Sequence, residues 1–168
     1  MEGTLRELIV AAGLINLITR LAATVPAYAQ EWQINRFQDR MSDMSEHEAT
    51  LSVPEGSMTV SCVVGRKALL ITFGSETYLG ATGFQRHRRM QYRIDGNPAV
   101  ESSEFYQERG VLMGVAGQKL LSAVTPESKH LLVRLETWDG NKIDLDFDVS
   151  ELQVVKDSLT YLCQADPH

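Results

Sequence analysis

Apolar side chains recur at two different spacings along this chain, and the spacing marks out its elements. From Met58 to Gly65, Met58, Val60, Cys62 and Val64 alternate with Thr59, Ser61 and Val63, the period of two expected of a strand that turns one face to a core. The next run places Leu69, Ile71 and Phe73 on one face. A two-residue Gly65-Arg66 turn of type II′ would set Val60 opposite Ile71 and Cys62 opposite Leu69, so the two apolar faces coincide. Nearer the C-terminal end, Leu131, Val133 and Leu135 form one apolar face, and Ile143, Leu145, Phe147 and Val149 form another. Matching them with Leu135 opposite Leu145 predicts a three-residue Asp139-Gly140-Asn141 loop, whose Gly and Asn tolerate positive φ.

After Val149 the period lengthens. Leu152, Val155, Leu159 and Leu162 follow at helical spacing, with Ser150 and Gln153 as a capping box. Cys163 comes four residues after Leu159 and falls on the same apolar stripe. Between these regions, "MQYRIDG" and "PAVESSEFY" read as strands around an Asp95-Gly96-Asn97 turn, with Pro98 marking an edge. "GQKLLSAV" reads as a short helix with Leu120, Leu121 and Val124 inward. Trp32, Ile34 and Phe37 suggest an element that packs on the core, ahead of a polar loop and a strand near Ala49 to Val53. The fold class is α+β: a mostly antiparallel, sandwich-like sheet with a C-terminal helix packed on it and one additional short helix.

The first 29 residues read differently. Leu8 to Ile18 is nearly uninterrupted apolar sequence, and "VPAYAQ" offers Ala27 and Ala29 in the small-x-small arrangement of a signal-peptidase site. Cleavage after Ala29 leaves residues 30–168 as one periplasmic domain, large enough to bury a core. An acid-bearing start and Arg20 also suit two rival readings: an uncleaved amphipathic or anchoring helix, or a start codon set upstream of the true signal. The apolar core is short for a membrane span, so no span is expected in the mature chain.

Export bears on the cysteines. An even count in an oxidising compartment favours a disulfide, and none of the four histidines stands at metal-ligand spacing from Cys62 or Cys163. With Cys62 on an inward strand face and Cys163 on an inward helix face, a bond between them would fasten the helix to the sheet. A free thiol pair is the alternative.

Charge and motif content exclude several chemistries. The net charge of −6 argues against a nucleic-acid partner, which requires an excess of Lys and Arg. The one basic cluster, "RHRRMQYR", reads as a solvated strand edge rather than an anion site. Asp144, Asp146 and Asp148 lie two apart on a strand and lack the loop glycine and closing glutamate of a calcium loop; a solvated face is the simpler reading. The acid pairs in "ESSEF" and "SEHE" could flank a glycosidic bond, but paired surface acids are common. Neither a nucleophile motif nor a phosphate-binding loop is present, so no catalytic residue, cofactor or metal is assigned and the chain is read as a non-enzyme.

The order of four segments adds to this reading. "CVVGRKALLITFGSETYLG", "MQYRIDGNPAVESSEFY", "KLLSAVTPESKHLLVRL" and "FDVSELQVVKDSLTYLC", spanning Met58 to Cys163, resemble the periplasmic type VI secretion-associated TagO/VasI family. The resemblance rests on Cys62, Tyr78 to Gly80, Tyr92, Arg93, Asp95 and Gly96, then Phe147, Asp148 and Leu152, and finally Cys163. It departs at Glu151, where the family has Gly, and at Phe105-Tyr106, where the family has Trp. What it implies is a non-enzymatic accessory protein that binds an envelope or secretion-complex component. The alternative is a periplasmic inhibitor or phage-exclusion protein acting on a cell-wall hydrolase or phage component.

Overall fold

The computed structural model describes residues 30–38, 44–66, 68–80 and 87–164. The leader and its cleavage site lie outside them, as do Arg86 and most of the polar loop after Gln38. Nine strands and two helices follow in the order β1 (Trp32–Gln38), β2 (Ser45–Val53), β3 (Gly56–Val63), β4 (Leu70–Ser75), β5 (Arg88–Ile94), β6 (Val100–Tyr106), β7 (Gly110–Met113), α1 (Val115–Ala123), β8 (His130–Glu136), β9 (Lys142–Asp148) and α2 (Leu152–Gln164). All pairings are antiparallel, in the order β1-β2-β3-β4-β7-β6-β5-β8-β9.

This open sheet curls until β9 faces β2 and β3, which makes it sandwich-like. Phe73 of β4 and Phe147 of β9 meet with ring centroids 6.0 Å apart. At Gly56 the approach is so close that a Cβ would stand 2.2 Å from the carbonyl oxygen of Gly74 and 3.2 Å from the Leu145 side chain. Alternation of apolar and polar residues accounts for the core: Met58, Val60 and Cys62 of β3, Ile71 and Phe73 of β4, and Leu131, Val133 and Leu135 of β8 are all buried. α2 covers β2 and β3 with Leu152, Val155, Leu159 and Cys163. α1 sits on β4 and β7 with Leu120 and Leu121 inward and Val124 buried just beyond it.

Cys62 and Cys163 stand at disulfide distance, their Cα atoms 6.2 Å apart, and close 101 residues. The backbone joins at the same place, where the Gly65 N–H donates to the Cys163 carbonyl at 2.9 Å.

Several details differ from the sequence expectations. The β3–β4 register is as expected, with Val60 opposite Ile71, but the turn closes one residue earlier. The Arg66 N–H donates to the Val63 carbonyl, which puts Gly65, at φ 83°, in the second central position rather than the first. In the β8–β9 hairpin, Leu135 pairs with Ile143 rather than Leu145. The loop does have three residues, but they are Trp138, Asp139 and Gly140, closed by the Thr137 N–H to the Asn141 carbonyl. Gly140 at φ 85° supplies the left-handed residue that ends a three-residue hairpin loop. Because the register moves by two residues, every apolar side chain keeps its face.

The capping box does not form: the Gln153 amide bonds Asp157 and accepts from Lys156, while the Ser150 hydroxyl donates to Asp148. Pro98 lies in a loop and marks no edge, since β5 and β6 are both interior strands. Ile34 and Phe37, expected to pack on the core, are 54% and 52% exposed on the edge strand β1; only Trp32 packs against it.

Candidate interaction surface

The residues that carry the resemblance are mostly taken up by the fold. Tyr92 is buried on the inner face of β5, and burial, with the Glu104 carboxylate nearby, raises its phenol above the ordinary range. Phe147 and Leu152 are fully buried. Asp95 occupies the β5–β6 turn at φ 50° and holds the start of β8: its Oδ1 accepts the N–H groups of His130 and Lys129, each at 2.9 Å. These two bonds lower its carboxyl pKa. Asp148 accepts both the hydroxyl and the N–H of Ser150, at 2.6 and 2.9 Å, which lowers its pKa as well. It thereby holds the turn into α2. Gly96 stands in the same turn as Asp95, where a Cβ would meet nothing within 4 Å. Arg93, like Asp148, is exposed, and it extends from an open face.

That face is the outer side of β6, β5, β8 and β9. Arg93 lines a shallow cavity of about 170 Å³ with Gln91, Leu132 and Arg134. Two hydrogen-bonded pairs lie beside it, one spanning β5 and β6 and the other β8 and β9. Gln91 donates to Glu101 at 2.9 Å, and Arg134 forms a bidentate pair with Asp144, both contacts 2.6 Å. The pair lowers the Asp144 carboxyl pKa and raises that of the Arg134 guanidinium.

The basic cluster therefore does not form a solvated edge. It belongs to an interior strand and splits between two faces. Arg88 turns inward, donating to the carbonyls of Leu79, Gly80 and Glu136, with its guanidinium carbon 4.9 Å from the Tyr106 ring centroid. This contact anchors the Tyr78-Leu79-Gly80 segment. Arg89 and Arg93 are exposed on the outer face, where Arg89 stands 3.9 Å from Glu101.

A second concavity of about 430 Å³ lies between the β2–β3 turn and β9, lined by Glu55, Asp144, Asp146, Asp148, His130 and Gln30 among others. Its three aspartates have partners: Asp144 bonds Arg134, Asp148 bonds Ser150, and Asp146 stands 4.0 Å from His130. Among the described residues no three His, Cys, Asp or Glu side chains are grouped to hold a metal ion. Nor do Glu101 and Glu104 converge, since Glu101 is exposed while Glu104 is buried beside Ser102.

The sequence reading missed an apolar patch on the outer face of β4, β7 and β6. Leu70, Leu112 and Phe105 are each 40–42% exposed; Phe105 and Leu112 are directly paired, and Leu70 lies diagonally from Leu112, two residues along β4 from Thr72. The His87 ring lies 3.9 Å from that of Phe105. The signal was apolar residues at outward positions, visible only once each strand's inward face is fixed. No protein-family model, curated protein or solved structure matches the chain.

Proposed function

We propose that the protein is a non-enzymatic accessory protein of the Gram-negative periplasm, similar to the TagO/VasI group, that binds a protein of the envelope or of a secretion complex. The observation that carries this reading is the Cys62–Cys163 pair, because structural disulfides persist in oxidising compartments outside the cytoplasm. It is consistent with an export leader in the first 29 residues. Among the described residues no helix is long and apolar enough to cross a membrane. A binding role is supported by the exposed Leu70, Leu112 and Phe105, since adjoining apolar side chains on an outer sheet face favour a protein partner.

Expressed from Met1 in a Gram-negative host, the protein is expected in the periplasm, beginning at Gln30 and without a titratable thiol. An intact Met1 in the membrane fraction would replace the leader with an anchor. The purified protein is expected to leave peptidoglycan intact with or without divalent metal. Muropeptide release that disappears when one Asp or Glu is substituted would make it an enzyme. In a strain whose gene neighbours encode a secretion sheath, deleting the gene should reduce secretion, and a Phe105→Asp, Leu112→Asp variant that still folds should fail to restore it.

A further inference from the structure

The sheet has two edges, and they are protected very differently. β9 carries Asp144, Asp146 and Asp148 at alternate positions, and Gln30 covers part of its free backbone. The Gln30 side-chain amide donates to the Asp146 carbonyl at 3.1 Å and accepts the Asp148 N–H at 2.8 Å, as a neighbouring strand would. β1 pairs with β2 along all seven residues, and among the described residues nothing pairs with its other side. Edge strands are commonly guarded by charges, proline or bulges. β1, with the sequence WQINRFQ, has no proline and a single charge, Arg36. It leaves Ile34 and Phe37 half exposed, and among the described residues the buried indole N–H of Trp32 has no acceptor.

We propose that β1 pairs antiparallel with β1 of a second copy, about a twofold axis through Ile34, joining two nine-stranded sheets edge to edge. This inference holds whether or not the accessory-protein reading does. Its basis is the self-complementarity of the strand. Trp32, Ile34 and Arg36 share the face of Leu51, Ala49 and His47. With the axis at Ile34, that side chain meets its own counterpart. Trp32 meets the partner's Arg36, a cation set against an indole. On the other face Gln33 meets the partner's Asn35, amide to amide, and Phe37 meets the partner's Glu31. A twofold axis makes each of the off-axis contacts twice. Moving the axis to Asn35 would set Ile34 against the partner's Arg36 and Trp32 against the partner's Gln38, losing both matches. A strand pair alone buries less than a standard interface, so the association is weak and concentration-dependent.

Sedimentation equilibrium of the disulfide-intact protein, from micromolar to near-millimolar concentration, tests the proposal. The average mass should climb toward twice the monomer mass. Ile34→Lys, which sets two like charges against each other across the axis, should hold the protein monomeric at every concentration with an unchanged melting temperature. A second pair of variants fixes the register even if Ile34→Lys folds poorly. Ile34→Cys should oxidise to a covalent dimer, with Cys62–Cys163 verified by peptide mapping, because identical residues face each other there. Phe37→Cys, distant from its counterpart, should stay unlinked. A wild-type protein that remains monomeric throughout, or Phe37→Cys linking as readily as Ile34→Cys, overturns the proposal.

Discussion

The two helices rest on one core but are held there by different means. α2 is fastened at its far end by the Cys62–Cys163 bond and by the Gly65 N–H to the Cys163 carbonyl; at its near end Asp148 holds the turn that leads into it. α1 has no covalent tie. Among the described residues no side chain caps its first turn; the Glu104 carboxylate accepts the Gly114 N–H at 3.4 Å, the Gln118 amide donates to the Leu69 carbonyl, and close fit does the rest. Gly117 approaches Ile71 and Met113 so nearly that a Cβ would stand 2.7 and 2.8 Å from their side chains. The carbonyls at its C-terminal end are satisfied from α2: Lys156 Nζ donates to those of Leu121 and Val124 at 2.5 and 3.2 Å. Burial lowers the pKa of this amine. One helix is thus tied to the chain itself, and the other depends partly on the first. Loosening α2 should disturb α1, whereas the reverse should hardly matter.

The largest test of that asymmetry is removal of the bond. Replacing Cys62 and Cys163 by Ser should lower stability by about 2–5 kcal/mol, read from denaturant melts. Native-state hydrogen exchange should show α2 opening first and the last turn of α1 following. If α1 exchanges as slowly as in the parent, the dependence of one helix on the other is wrong.

Gly117→Ala attacks the fit of α1 alone. Overpacking of this kind costs about 1–3 kcal/mol; faster exchange is expected in α1, with α2 protected as before. Collapse of protection in both helices would erase the distinction. Lys156→Met keeps the stem of the side chain and removes its hydrogen bonds to α1. A helix C-terminus that loses a cation should cost about 1 kcal/mol, with the exchange change confined to Leu121 through Val124 and not spreading into β3.

Acid should separate the two helices most gently. Asp148, at the entrance to α2, and Asp95, at the start of β8, titrate below their ordinary value of 3.8 in the folded protein. Folding therefore favours their ionised forms. The stability they add is complete above the unfolded carboxylate range near pH ~4 and is lost as pH falls through the lower folded values. Exchange at Ser150 to Gln153 should accelerate in that window before exchange within α1 does. Asp148→Asn should flatten the pH dependence, and an unchanged profile would remove Asp148 from the turn's stability.

Much of this frame was legible in the chain because alternation survives errors of register. The β8–β9 pairing differs from the expected one by two residues, yet Val133, Leu135 and Leu145 still face inward. The helical stripe of α2 and its cysteine were equally plain, because their spacing is local. What escaped depended on distant partners. Asp95 looks like an ordinary turn residue until β8 arrives to be held by it. Ile34 and Phe37 look like core until their strand proves to be the last in the sheet. β7 has only four residues, Gly110–Met113, too few to show a period, yet it joins β4 to β6 and so sets the strand order. The candidate surface was the least legible part, since an exposed Leu112 differs from a buried one only through the strands beside it.

The covalent loop also has a mechanical side. Because the bond joins residues 101 apart, tension applied between Gln30 and Gln164 passes through the sulfurs and not around the loop. The strands from β4 to β9, α1 and all but the last residue of α2 lie within that loop and carry little of the load. At about 3.4 Å per extended residue, roughly 340 Å of chain cannot be drawn out while the bond is intact. Only β1, β2 and most of β3 could peel away. A protein stretched between two layers of an envelope would thus give up its first strands and keep most of its sheet, and it would lengthen further only in a reducing environment.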